Sequence, residues 1–201
     1  MKSFISYAIV AILLFTGCAS NKKKENTISI SGAFALYPLV VQWGEEYKKE
    51  TPDVRFNISG GGAGKGMADA LAGAVDLGMF SREITQEEKD RGVWWVGLAI
   101  DAVVPTISDK NPYLDILKKR GITRDEFRAV FIEGTVTNWG ELLKTGNKNE
   151  FVVYTRSDAC GAAGTWAEYL GYTQEDLLGV GVYGDPGVLE AVIKDSLGIG
   201  F

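Results

Sequence analysis

Apolar and polar positions follow two rhythms along this chain, and the switches between them mark an ordered series of strands and helices. Ile28-Ser29-Ile30 has a strand period, after which Leu36, Val40, Trp43 and Tyr47 fall at i, i+4, i+7 and i+11, one apolar stripe of a helix ending near Thr51-Pro52. That stripe assigns Trp43 to the core rather than to a ligand platform. Val54 to Ile58 alternates as a strand, Met67 to Leu71 begins a helix that closes at Gly73, and Val75 to Met79 reads as a third strand. Thr85-Gln86-Glu87-Glu88 is a capping box that opens another helix. The long, mostly apolar run from Trp94 to Thr106 is expected as one or two strands, with Trp94 and Trp95 as packing residues.

A second series follows. Thr123-Arg124-Asp125-Glu126 caps a helix through Phe131, Asn138-Trp139-Gly140 starts a short one, Phe151 to Tyr154 is a strand, and Gly164 to Leu170 is helical. Asp185-Pro186 reads as an N-cap and N1 pair before the apolar face Val188, Leu189, Val192 and Ile193. Strands alternating with helices predict α/β lobes with mostly parallel sheets. Two glycine-rich turns, Ser59-Gly60-Gly61-Gly62-Ala63-Gly64-Lys65-Gly66 and Arg156-Ser157-Asp158-Ala159-Cys160-Gly161-Ala162-Ala163, each join a strand-like run to a helix-like run. Small residues there leave first-turn N–H groups bare at the positive end of a helix dipole, which attracts an anionic oxygen. Two such turns, far apart in the chain, imply two lobes sharing one anion at the carboxyl ends of strands, where Ser81 also falls.

The amino terminus changes the compartment. Met1-Lys2 is positive, the apolar stretch Ala8 to Phe15 is too short to span a bilayer, and Thr16-Gly17-Cys18 places small residues before a cysteine. This resembles a bacterial lipoprotein signal, in which Cys18 is lipidated and becomes the mature first residue; the alternative is an ordinary secretory signal with a chance cysteine. With Cys18 lipidated, Cys160 stands alone and no intrachain disulfide forms. Ala19 to Asn26 is a polar tether whose Lys22 to Lys24 are solvated or touch anionic headgroups. The expected organisation is a signal over 1–17, a lipidated tether over 18–26, a first α/β lobe over 27–105, a second over 106–197, and a return to the first lobe beginning at 198–201.

The chain carries 21 basic and 26 acidic residues, net −5, and Lys2, Lys22, Lys23 and Lys24 all precede the globular part, which is therefore more acidic still. Such a body has no basic stripe and repels a nucleic-acid backbone. Attraction for a small anion has to be local, from amide dipoles and a buried cation. The sequence contains no histidine, which removes Ser-His and Cys-His nucleophile pairs and histidine metal sites. Gly64-Lys65 has part of a Walker loop, but Ser59 stands where its first glycine belongs and Gly66 replaces the Mg²⁺-binding hydroxyl. Carboxylates such as Asp69, Asp76 and Asp101 show no metal-loop spacing, so neither metal nor cofactor is expected. Cys160 at a helix start lacks a base and reads as a small lining residue. Binding rather than catalysis is the expectation.

Five segments carry a more specific resemblance. Gly32-Ala33-Phe34 with Tyr37-Pro38-Leu39, the first glycine turn, Val75-Asp76-Leu77-Gly78 with Ser81-Arg82-Glu83, Val136-Thr137-Asn138-Trp139, and Arg156-Ser157-Asp158 through Gly161 stand in register with the phosphate-binding proteins of bacterial ABC transporters. From Thr27 to Phe201 the chain resembles that family. The resemblance implies a two-lobed periplasmic binding protein fold of type II, hinged near Val104-Pro105. It also implies closure over one dehydrated oxyanion, phosphate or a relative, and delivery to permease subunits from a lipid-anchored position on the membrane. The anion site it implies comprises Ala33, Phe34, Gly62, Ala63, Gly64, Ser81, Arg156, Asp158, Cys160, Gly161 and Ala162. Family hydroxyls are replaced at Ala33, Ala63, Cys160 and Ala162, while Phe34, the backbone of Gly62 to Lys65, Ser81, Arg156, Asp158 and Gly161 keep the pattern. Arg82 could serve lobe closure or ligand. Some relatives carry an aspartate near Ser81 that accepts the phosphate proton; here Asp158 is the only nearby carboxylate, so weak phosphate-over-sulfate selectivity is expected. A surface-anchored sensor or adhesion protein reusing the fold is the alternative function. Leu197-Gly198-Ile199-Gly200-Phe201 reads as the start of an apolar strand, so the chain is expected to be a fragment with its first lobe incomplete.

Lipid anchoring has a direct check. Cys18→Ser should abolish lipid labelling and release the protein from membranes in fractionation, and unchanged attachment in that variant would overturn the assignment.

Overall fold

The computed structural model describes residues 26–201. The signal segment, Cys18 and the tether through residue 25 lie outside the described residues. The chain opens with β1 (Thr27–Gly32), α1 (Tyr37–Glu50), β2 (Arg55–Gly60), α2 (Ala63–Leu71) and β3 (Leu77–Met79), which form a parallel sheet in the order β2-β1-β3. Every residue of β1 pairs with β2, and Ile30 to Gly32 pair with β3 on the other side. Parallel neighbours require crossovers, and α1 and α2 supply them.

The placement of α2 rests on a glycine. A Cβ on Gly66 would lie 2.4 Å from the Met79 carbonyl oxygen and 2.8 Å from the Gly32 Cα, so the helix sits directly on the backbone of β1 and β3. Gly32, at φ +136°, completes that contact. The start of α2 is thereby fixed at the carboxyl end of β1. The core of this half is small: Ile30, Ala33, Val40, Ala63 and Met79, with Phe56 and Ile58 packed against them.

On α1 the expected stripe is rotated. Val40 and Gly44 are buried, while Trp43 is 42% exposed, contrary to its assignment to the core. Gly44 offers no side chain, so the Phe56 ring approaches to 3.4 Å of where its Cβ would be and turns Trp43 outward. Tyr47 meets the same ring edge-on at 5.8 Å. A short helix, α3 (Gln86–Asp90), begins at the expected capping box. The Arg82 guanidinium grips Glu88 at 2.7 and 3.1 Å and lies 4.5 Å over the Phe80 ring.

The run from Trp94 forms no strand before β4 (Thr106–Ile107). A strand needs a partner edge, and among the described residues none runs alongside. Trp94 is 83% exposed and Ile100 fully so.

The second half contains α4 (Leu114–Arg120), α5 (Arg124–Phe131), α6 (Trp139–Leu143), β5 (Tyr154–Arg156), α7 (Gly161–Leu170), a 3₁₀ turn (Gln174–Asp176), β6 (Val180–Val182), α8 (Gly184–Lys194) and β7 (Ile199–Gly200). β5 and β6 are parallel, β4 and β7 antiparallel, and a Val153–Ile199 bridge joins the two pairs. Residues 198–201, expected to return to the first lobe, close this second sheet instead. Phe201 stacks on Trp166 at 5.6 Å and meets Phe131 edge-on at 5.8 Å, so its burial belongs to the larger core. That core gathers Phe127, Phe131, Trp139, Phe151, Trp166, Leu170 and Ile199. Trp139 Nε1 donates to the Leu197 carbonyl at 2.9 Å, satisfying a polar atom deep among aromatics.

Several boundaries move. The strand expected from Phe151 starts at Tyr154, because Phe151 packs edge-on to Trp139 and its N–H donates to the Thr137 carbonyl. Both glycine turns run into their helices early, at Ala63 and Gly161, so they supply the first helical turns themselves. α8 takes Tyr183 as its N-cap, which puts Asp185 inside the first turn; Val188 and Val192 are buried, while Leu189 and Ile193 face out.

The Arg82–Glu88 clasp generates a pH prediction. Hydrogen bonding from Arg82, helped by the Thr85 backbone, holds the Glu88 carboxyl at about 2, below its ordinary 4.5. A depressed carboxyl stabilises the fold above pH 4.5 and loses that contribution as pH falls toward 2. Glu88→Gln should lower the melting temperature at neutral pH and flatten its decline between those limits, measured by circular dichroism.

Candidate functional site

The strand ends of both halves face one cleft of about 900 Å³. On the first side, the Gly32 carbonyl accepts hydrogen bonds from the Gly61 and Gly62 N–H groups at 2.9 and 3.1 Å, folding the glycine turn over the end of β1. Gly62 stands at φ +84°, a conformation that costs glycine little. The next N–H groups, of Ala63, Gly64 and Lys65, open α2 and have no intrahelical acceptor. The Lys65 ammonium pairs with Asp69, so its backbone rather than its charge serves the turn. Ala33 and Phe34 follow β1 into the cleft wall, and Ser81, beyond β3, also lines the cleft, its hydroxyl without a hydrogen-bond partner among the described residues.

On the second side, α7 begins at the extended N-cap Cys160, and Gly161 and Ala162 line the cleft with the helix start. Arg156, at the end of β5, has a side chain only 2% exposed. Its Nε and Nη2 donate to the two oxygens of Asp158 at 2.8 and 2.7 Å, a bidentate fork. Nη1 donates to Asp185. The Gly184 N–H adds a hydrogen bond to Asp158 at 3.1 Å. Burial works against the charge of both partners, yet their mutual hydrogen bonds prevail, and Arg156 moves above and Asp158 below its ordinary range. Burial pushes the Cys160 thiol up, so it stays protonated at neutral pH.

The halves touch across this cleft through glycines. A Cβ on Gly161 would fall 1.8 Å from the Ser81 carbonyl oxygen, one on Gly62 would fall 2.8 Å from Asp158 Oδ2, and one on Gly184 would fall 2.8 Å from the Phe34 ring. Tyr183 adds an O–H donation to the Gly61 carbonyl at 2.9 Å and an edge contact with Phe34 at 6.0 Å.

Of the residues singled out in the sequence, Ala33, Phe34, Gly62, Ala63, Ser81, Arg156, Cys160, Gly161 and Ala162 line one cavity. Asp158, bonded to Arg156, and Gly64 are not among the lining residues, and a Cβ on Gly64 would lie 3.8 Å from the Ala159 carbonyl oxygen of the other half. The lining extends beyond that set, and its further polar side chains include Asp101, Thr106, Thr165 and Asp185. Thr165 follows Gly161 by one helical turn, a spacing that could have found it. Asp185 was assigned to helix capping, and nothing in its local sequence links it to Arg156. No group of three or more His, Cys, Asp or Glu among the described residues is arranged to hold a metal ion.

The family model of the PBP superfamily domain matches residues 19–199. The chain belongs to the PBP superfamily. Among curated relatives of this PBP-superfamily chain, the phosphate-binding protein PstS of Bacillus subtilis (strain 168) is 30% identical over 74% of the chain. The chain spans about half of that relative's length, 47%. A solved structure of a putative phosphate ABC transporter substrate-binding protein with bound phosphate from Clostridium perfringens superposes with a TM-score of 0.74. That pair shares 28% identity, over 87% of this chain and 69% of the other. An ABC-type phosphate transport receptor from Vibrio cholerae shares the fold at a TM-score of 0.57 and 21% identity, over 87% of this chain and 70% of that one. The superfamily assignment accords with the α/β architecture and parallel strands described above, and the chain spans only part of the length of these partners.

The glycine contacts yield a paired test. Gly161→Ala places a methyl against the Ser81 backbone and should cost about 1–3 kcal/mol in urea unfolding, as overpacking does. Gly164→Ala, in the same helix with open space around its Cβ position, should be neutral or stabilising by up to about 1 kcal/mol through helix propensity. Equal effects from the two would contradict the close approach.

Proposed function

We propose that this chain is the ligand-binding part of an extracytoplasmic substrate-binding protein that holds a tetrahedral oxyanion, phosphate foremost, and delivers it to an ABC transporter permease. One observation carries the reading: a buried guanidinium, Arg156, fixed by Asp158 and facing a cleft that two helix starts also face. Bare N–H groups from α2 and α7, the Ser81 hydroxyl and the remaining Arg156 donors supply hydrogen bonds from several directions, which suits a small anion with four oxygens. The relative from Bacillus subtilis and the Clostridium perfringens protein, whose names specify phosphate, support the choice of anion.

Binding rather than turnover is the function assigned. The cleft holds no activated nucleophile: its thiol is pushed up, and no histidine exists to serve as base. The two sheets form the two lobes, with residues around 104–105 crossing between them. The lipid at Cys18 would keep the protein at the envelope membrane, facing the periplasm or the cell exterior, within reach of the permease.

A ligand that binds only the folded state raises apparent stability, by about 2.7 kcal/mol at a hundredfold excess over Kd. Phosphate or a related tetrahedral oxyanion should therefore raise the melting temperature of the protein. Arg156→Lys keeps a positive charge opposite Asp158 but loses the planar fork, and should remove most of that rise. If phosphate, sulfate, arsenate, molybdate and tungstate all leave the melting curve of the folded protein unchanged, the reading is wrong.

A further inference from the structure

Arg156 has five N–H donors, and three are spent on carboxylates, Nε and Nη2 on Asp158 and Nη1 on Asp185, while the Cys160 sulfur also lies within hydrogen-bond reach of the guanidinium. The two carboxylates differ in what they have left. Asp158 is nearly buried, at 11% side-chain exposure, and both of its oxygens are engaged, Oδ1 by Arg156 Nε and the Gly184 N–H, Oδ2 by Arg156 Nη2. It cannot turn toward a ligand without abandoning the guanidinium. Asp185 is 42% exposed, lines the cleft, and contacts Arg156 through Oδ1 alone. Its second oxygen has no hydrogen-bond partner among the described residues.

We propose that Asp185 selects among oxyanions by reading their proton. The inference rests on the oxyanion reading above and adds to it the residue that decides which anion is held. An anion that reaches the guanidinium donors not spent on carboxylates lies beside Asp185. If one of its oxygens carries hydrogen, as in hydrogen phosphate or hydrogen arsenate, that O–H donates to the free carboxylate oxygen, a charge-assisted hydrogen bond. A fully deprotonated sulfate brings bare anionic oxygens against the same carboxylate, with no hydrogen between them to offset the repulsion. Asp185 thus rewards a protonated oxyanion and rejects an unprotonated one. The weak selectivity expected from the sequence assumed that Asp158 was the sole nearby carboxylate; Asp158 is occupied, and two others line the cleft, Asp101, which accepts from the Ala102 N–H, and Asp185, which is the one of the two paired with Arg156.

A structural role exists as a competitor. Asp185 in the first turn of α8 favours the positive end of the helix dipole, so its removal can lower stability. That role does not bear on the ratio of two anion affinities, which makes the ratio the deciding measurement.

Competition calorimetry on the full chain with phosphate, arsenate and sulfate tests the proposal. In the unaltered protein, arsenate should track phosphate and sulfate should be much weaker; equal affinities for sulfate and phosphate would overturn it without any variant. D185N keeps the size of the side chain, removes its charge and supplies an amide donor. It should lower the phosphate-to-sulfate ratio about tenfold or more, the scale of one charge-assisted hydrogen bond, chiefly by admitting sulfate. D185E, which retains a carboxylate, should keep the preference for phosphate. An unchanged ratio in folded D185N defeats the role of Asp185 and leaves the oxyanion reading intact, whereas no oxyanion binding by the unaltered protein defeats both.

Discussion

The buried fork between Arg156 and Asp158 is the contact on which the cleft depends. A charged guanidinium removed from water costs several kcal/mol unless its donors are met, and Asp158 meets it with two parallel hydrogen bonds. The same carboxylate accepts from the Gly184 N–H, so one side chain ties the end of β5, the turn before α7 and the first residue of α8. Three segments that could drift independently are held at one point. Because Asp158 precedes Cys160 by only two residues, the fork also determines where α7 starts and which way its bare N–H groups point.

Backbone contact between the halves is the second constraint. Gly62, Gly161 and Gly184 allow main chain, ring and carboxylate from one half to approach the other more closely than any side chain permits. Gly32 and Gly66 play the corresponding part inside the first sheet. Small residues thus act where surfaces meet, and at those points backbone amides border the cleft alongside side chains such as Phe34, Phe80 and Arg156. Bare amide donors, rather than net charge, are what an acidic chain can offer an anion at this cleft.

The α/β alternation, the two capping boxes at Thr85 and Thr123, and both glycine turns were readable in the sequence because each depends on residues a few positions apart. What failed depended on distant partners. Trp43 faces out because Gly44 meets Phe56 across the sheet, and helical periodicity has no access to that choice. The run from Trp94 has strand composition but no neighbouring edge among the described residues. Phe201 joins the second core through Trp166 and Phe131, rings supplied by α7 and α5. In the candidate site, Arg156, Asp158 and the turns were legible, and Asp185 was not, because its partner lies twenty-nine positions upstream.

The inequality of the two cores has a consequence for how the molecule fluctuates. The first sheet rests on five mostly small buried residues, while the second half packs several aromatic rings, so the free energy needed to open each half differs. Amide hydrogens of β1 and β2 would exchange through partial openings that leave α5 and α7 protected. A bound anion held by donors from both α2 and α7 would act as a removable crosslink between a loose body and a firm one. Occupancy would then be felt most strongly as slowed exchange in the half that contributes no charged group to the ligand.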